Sequence, residues 1–320
     1  MRFKRILSFF LTLAFLVIPI VALLYRQSIQ DWWVLRSYEP PVEIAQLATD
    51  TTMTEYGKKV FYVTRPALKQ KQEFRGECTS AERTIVLGCY KTGSGIYLYD
   101  VSDERLAGVE QVTAAHEMLH AAYDRLSSKE RDRIDVLTQA AYGKLTDERI
   151  QKNVEAYRER DETVVPNELH SILGTEVETL PSELEAHYAK YFADRQKIVS
   201  FSKQYEAEFT KREKQVEAYD VQLKSLKSQI DAYNATLDSL EAQITSQKKT
   251  MDELAAAGKY TEYNSMVNGY NKLISTFNST AAALKAKIEQ HNQIVAARNL
   301  LVVEEQELYE AIDTRVPSAR

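Results

Sequence analysis

The sequence predicts an α+β domain with a small sheet, preceded by a single membrane-spanning helix and followed by a long antiparallel coiled-coil hairpin. Three observations carry this. Residues Ile6 to Tyr25 contain no charged side chain. From Val216 onward, apolar residues recur alternately three and four apart, as in a coiled-coil seam. Between the two stretches lie most of the glycines and prolines, three short β-branched or aromatic runs, and the segment His116-Glu117-Met118-Leu119-His120. The implied organisation is 1–27 for a cytoplasmic tip and anchor, 28–195 for the α+β domain, 196–312 for the hairpin and 313–320 for a flexible tail.

A chain of 320 residues has room for two domains. Its 44% hydrophobic and 27% charged content is that of an ordinary folded protein. A net charge of -5 with interspersed signs leaves no basic footprint, which excludes nucleic acid as the expected partner.

The amino terminus is basic at Arg2, Lys4 and Arg5, and the uncharged run that follows is long enough to cross a bilayer. A cleaved secretory signal would end on small residues, and Val21-Ala22-Leu23 is a poor substitute for such a site. Tyr25, Trp32 and Trp33, with Arg26 between them, suit the membrane interface. An uncleaved single-pass anchor is therefore expected, with its N-terminus cytoplasmic and everything after Gln27 extracytoplasmic. In an oxidising compartment Cys78 and Cys89 read as a disulfide, a free thiol pair being the alternative.

Residues Val42 to Leu47 read as a short helix. Lys59–Val63 reads as a first strand, Thr84–Gly88 as a second, Lys91–Gly95 as a turn, and Ile96–Val101 as the clearest strand. The motif helix then runs from Leu106 to Tyr123, beginning near Gly108, with Val112, Ala115, Leu119 and Ala122 as its apolar stripe. Histidines four apart share one helix face, so His116 and His120 can reach a single Zn²⁺, with Glu117 beside a metal-bound water. Glu117 is the candidate catalytic base. Packed in a core with no such role, its carboxylate would be costly.

No histidine follows at the spacing of the longer His-Glu-x-x-His-x-x-Gly-x-x-His form, because Tyr123 and Leu126 occupy those positions. A third ligand must come from further along. Ser127–Tyr142 and Thr146–Arg160 read as polar covering helices, and a new helix begins at Pro166. Glu168 on that helix lies 48 residues beyond His120. With Asn167-Glu168-Leu169-His170-Ser171, residues 95–192 resemble the gluzincin-type, thermolysin-like zinc metallopeptidases. That resemblance implies a zincin-like metallopeptidase domain with His116, His120 and Glu168 as metal ligands and a peptide or protein substrate. It also implies that a strand before the motif helix, here Ile96–Val101, edges the cleft and accepts an extended peptide. Ile172 stands where the family has an aspartate that orients a ligand histidine, and Glu176 and Asp124 are the alternatives for that task. His170 is the alternative third ligand. His187, with Tyr188 and Tyr191, is a candidate stabiliser of the oxyanion.

The seam runs through Val216, Tyr219, Leu223, Leu226, Ile230, Tyr233, Leu237, Leu240 and Ile244. It breaks at Ala255–Lys259 and resumes from Tyr263 to Val295. Gly258 marks the expected turn, and each arm of ~50 residues would span about 75 Å. His291 falls on the seam as a polar core position. No catalytic spacing occurs in this half, which reads as a spacer or an arm for a protein partner. The expected function is thus a membrane-anchored, extracytoplasmic zinc metallopeptidase. The alternative is a membrane-anchored scaffold with a non-catalytic zincin-like domain.

Overall fold

The computed structural model describes residues 25–78 and 85–315, together with Phe15 and Val17. The run read as a membrane anchor otherwise lies outside the described residues, as do 79–84 and 316–320. Among the described residues no helix is long and apolar enough to cross a membrane. The chain divides into a compact unit, which extends through Glu208 and takes back residues from Tyr309 onward, and a second unit, Phe209–Leu308.

The compact unit is mostly helical. It opens with α1 (Arg26–Ser37), α2 (Val42–Asp50) and α3 (Glu55–Val63). The strand expected over Lys59–Val63 is therefore helix. Thr54 caps it by accepting from Gly57 N at 3.0 Å, and Gly57, Val60 and Phe61 then fall on one buried face. The sheet's first strand is β1 (Ala67–Lys69), followed by α4 (Lys71–Glu77), β2 (Gly88–Lys91) and β3 (Gly95–Tyr99). Its order is β1-β3-β2, with β3 parallel to β1 and antiparallel to β2. The segment read as an edge strand is thus central and paired on both sides. β2 is the edge. Cys78 and Cys89 form a disulfide, joining the end of α4 to β2.

The motif helix α5 (Val109–Asp124) lies across the core, with Ala114, Ala115, Met118, Leu119, Ala121 and Ala122 buried. After it come α6 (Ser128–Tyr142), α7 (Glu148–Arg160), α8 (Val165–Glu176) and α9 (Ser182–Tyr188). α5 packs most closely on α8. Gly174 permits that approach, since a Cβ there would come within 2.4 Å of Leu119 Cδ1. This helix pair sets the spacing of the candidate site.

Two long helices complete the chain, α10 (Arg195–Ala256) and α11 (Tyr260–Ile312). Their paired portions are antiparallel. Arg212 meets Glu304, Arg298 meets Asp220, and Gln247 Nε2 donates to Met266 O at 3.3 Å. The seam residues named from the sequence are the less exposed positions of α10, with Leu226 and Leu240 buried. The reversal falls at Gly258, whose φ is +70.

Candidate metal centre

His116 and His120 come from successive turns of α5, and Glu168 comes from the first turn of α8. Glu168 Oε2 lies 3.6 Å from His116 Nε2 and 3.7 Å from His120 Nε2. One ligand atom from each of the three residues lies within 4.8 Å of the other two. Glu168 Oε2 is buried and makes no hydrogen bond. Burial pushes this carboxyl up, but the imidazoles of His120 and His116, with Arg160 further off, outweigh burial and hold it below the ordinary carboxylate range. An anionic oxygen without a hydrogen-bond donor, facing two imidazole nitrogens, is a donor set that suits a cation. Tetrahedral ligands at Zn²⁺ distances would sit about 3.4 Å apart, so the Glu168 contacts already lie within a few tenths of an ångström of that spacing.

On the other side of its ring, His120 Nδ1 lies 3.0 Å from Asn167 Oδ1 and 3.2 Å from Ser171 Oγ. The Asn167 oxygen can only accept, so this hydrogen bond requires a proton on His120 Nδ1. The side chain that meets His120 is thus Asn167 and neither of the two acids named for that place. Glu176 is engaged by Arg149 at 2.7 Å, and Asp124 accepts from Thr92 at 2.8 Å. Asn167 was visible in the sequence as the neighbour of Glu168, but its contact with His120 depends on how α8 registers against α5.

Glu117 is buried, at 5% exposure, and lies against β2. A Cβ on Gly88 would lie 2.8 Å from Glu117 Oε1 and 2.7 Å from its Cγ, so the bare backbone of β2 lies against this carboxyl. From the sequence, Gly88 marked only a strand end. A groove of about 810 Å³ is lined by α1, the β2–β3 turn and the end of α5, with Asp31, Trp33, Tyr90, Thr92, Asp124 and Arg125 among its residues, and none of His116, Glu117, His120 and Glu168 lines it.

His170 and His187 turn to each other and do not join the cluster of His116, His120 and Glu168. Their Nε2 atoms are 2.9 Å apart, and the Tyr188 hydroxyl donates to His170 O at 2.7 Å. Burial, then the neighbouring His187, drives His170 well below its ordinary value. Burial, then Lys190, lowers His187 to about 4. Both rings are consequently neutral near pH 7 and act as core residues packed against Tyr188. Tyr191 stacks edge-on to His187, and its hydroxyl is pushed upward chiefly by burial.

No family model, curated protein or solved structure matches the chain.

Proposed function

We propose that the protein is a membrane-anchored, extracytoplasmic metallopeptidase in which His116, His120 and Glu168 hold Zn²⁺. The observation that carries this reading is the convergence of two imidazole nitrogens on a buried carboxylate oxygen that has no hydrogen bond. A His₂Glu set leaves a fourth position for water, and the bound ion supplies a more acidic water and a polarised carbonyl. Asn167 fixes the tautomer and ring angle of His120. Glu117, held against β2, accepts the proton of the attacking water and returns it to the leaving amine. A zincin-like domain accommodates these roles, and the Cys78–Cys89 disulfide supports an oxidising compartment.

The test compares the parent chain with Glu117→Gln by metal analysis and by hydrolysis of a mixed peptide library. We expect stoichiometric zinc in both and cleavage by the parent alone. Absence of zinc from the parent, or equal cleavage by the variant, overturns the mechanism. Zinc without any cleavage leaves the anchored scaffold, with the hairpin as its partner-binding arm.

A further inference from the structure

Helix α1 has two faces of opposite character. On one, Asp31 is buried and gripped by Arg125 through two contacts of 2.9 and 3.0 Å, with Lys59 at 3.2 Å. Arg125, then Lys59, outweigh burial and hold this carboxyl below its ordinary range. Val34 and Leu35 share that inner side and are half-buried. Tyr25, just before the helix, Ile29, Trp32, Trp33 and Arg36 lie on the other face. At 3.6 residues per turn they occupy an arc of about 100°, nearly opposite Asp31. All are exposed, Tyr25 at 58%, Ile29 at 43%, Trp32 at 54% and Trp33 at 62%. The two indoles meet edge to face at 5.4 Å, and the Arg36 guanidinium sits 5.3 Å from the Trp32 ring.

Single exposed apolar residues are ordinary, but a contiguous aromatic face is not. This one carries the chain's only two tryptophans. What covers it is indicated by the chain immediately before it, where Ile6 to Leu24 are uncharged and predominantly apolar. Tyrosine and tryptophan favour the headgroup level because one end of each ring system is apolar and the other can hydrogen-bond. Arginine at the margin suits the phosphates.

We propose that the Tyr25–Ile29–Trp32–Trp33–Arg36 face of α1 lies flat in the bilayer interface, with Asp31, Arg125 and Lys59 riveting the helix to the folded unit above it. The inference rests on the anchor in the reading above and not on the metal chemistry. Its consequence is positional: α1 becomes the floor on which the compact unit stands, and the unit is not free at the end of a tether. The alternative posture is an upright α1 that continues away from the membrane. At 1.5 Å per residue this would lift Trp33 about 12 Å beyond Tyr25, clear of the acyl chains.

Tryptophan fluorescence of the full chain tests this directly, since both reporters are on the proposed face. The chain is reconstituted into phosphatidylcholine vesicles containing a minority of phosphatidylglycerol, with matched sets brominated near the glycerol end or the methyl end of the acyl chains. We expect blue-shifted emission that bromines near the glycerol end quench roughly two-fold, with bromines near the methyl end quenching less and aqueous iodide little. If the chain stays with the vesicles after carbonate washing but its tryptophans are quenched by iodide and not by bromines, the flat posture is wrong while the anchor stands. Blue-shifted emission that neither quencher reaches shows that protein, a second copy included, covers the face, and also overturns the proposal. Loss of the chain from the vesicles refutes the anchor itself, and the proposal with it.

Discussion

Gly88→Ala tests the placement of Glu117 without altering any proposed ligand or the carboxylate. The added methyl would lie 2.6 Å from Thr113 Cγ2, 2.7 Å from Glu117 Cγ and 2.8 Å from Glu117 Oε1. Each contact is more than half an ångström inside the 3.4 Å at which ordinary packing begins. Thr113 has little room to yield, because its χ1 is restricted and its hydroxyl donates to Val109 O at 2.8 Å. Glu117 has three side-chain torsions and gives way first. Overpacking of this kind costs about 1–3 kcal/mol. A displacement of about 1 Å at a reacting group costs up to ~10²-fold in rate. The expected variant is folded, binds zinc as the parent does, and has kcat lowered about 10- to 100-fold. Metal analysis, thermal unfolding and peptide hydrolysis on one preparation measure all three. Gly76→Ala is the control, since nothing lies within 4 Å of a Cβ there. Its expected effect is neutral to about 1 kcal/mol stabilising, as Gly76 is inside α4. A folded, zinc-loaded Gly88→Ala chain with parental kcat would refute the placement of Glu117 as the base.

Asn167→Ala removes the acceptor on His120 Nδ1 and should weaken zinc binding about 10- to 100-fold in chelator competition, with Asn167→Asp restoring much of it. Neutral, buried His187 makes stability depend on pH. Its folded value of about 4 lies below the ordinary 6.5, so the unfolded chain binds the proton first. The contribution is complete above pH 6.5 and is lost as pH falls toward 4, by up to about 3 kcal/mol. His187→Gln should therefore make the denaturant midpoint less steep between those pH values, the part owed to His170 remaining, and an unchanged slope would assign it elsewhere. Reduction of the Cys78–Cys89 disulfide, which spans 11 residues, should lower unfolding free energy by about 3 kcal/mol in denaturant titration.

The features legible in the sequence are those written as local periodicity. The alternating spacing of the seam anticipates two packed helices, and the Gly258 interruption anticipates their reversal. Histidines four apart on a helix anticipate a shared face. The failures have a common cause in partners distant along the chain. Lys59–Val63 looks like a strand by composition, yet the Thr54 cap and the buried face of α3 decide otherwise. β1 has only three residues and gains its identity by pairing with β3, some thirty positions on. Asn167 meets His120 because α8 packs in one register on α5. Gly88 meets Glu117 because β2 crosses the same helix, a juxtaposition no local pattern encodes.

The ends of the two long helices belong to the compact unit that carries the candidate site. At the start of α10, buried Arg195 donates to Val177 O at 2.6 Å and Glu178 O at 2.9 Å, and pairs with Glu185. These carbonyls follow directly on α8, the helix carrying Glu168. A buried guanidinium is costly unless its donors are matched, so Arg195 is an integral part of that packing. At the end of α11, the Thr314 hydroxyl donates to Val86 O at 2.6 Å, two residues before Gly88. Arg75 donates to Thr314 O at 2.8 Å, and Tyr99 to Ala311 O at 3.1 Å. Ile198, Val199 and Ile312 are buried as well. A chain cut after residue 195 would expose core next to α8 and release the clamp next to β2. The compact unit therefore needs the hairpin's return, and its integrity depends on residues more than a hundred positions beyond the last proposed ligand.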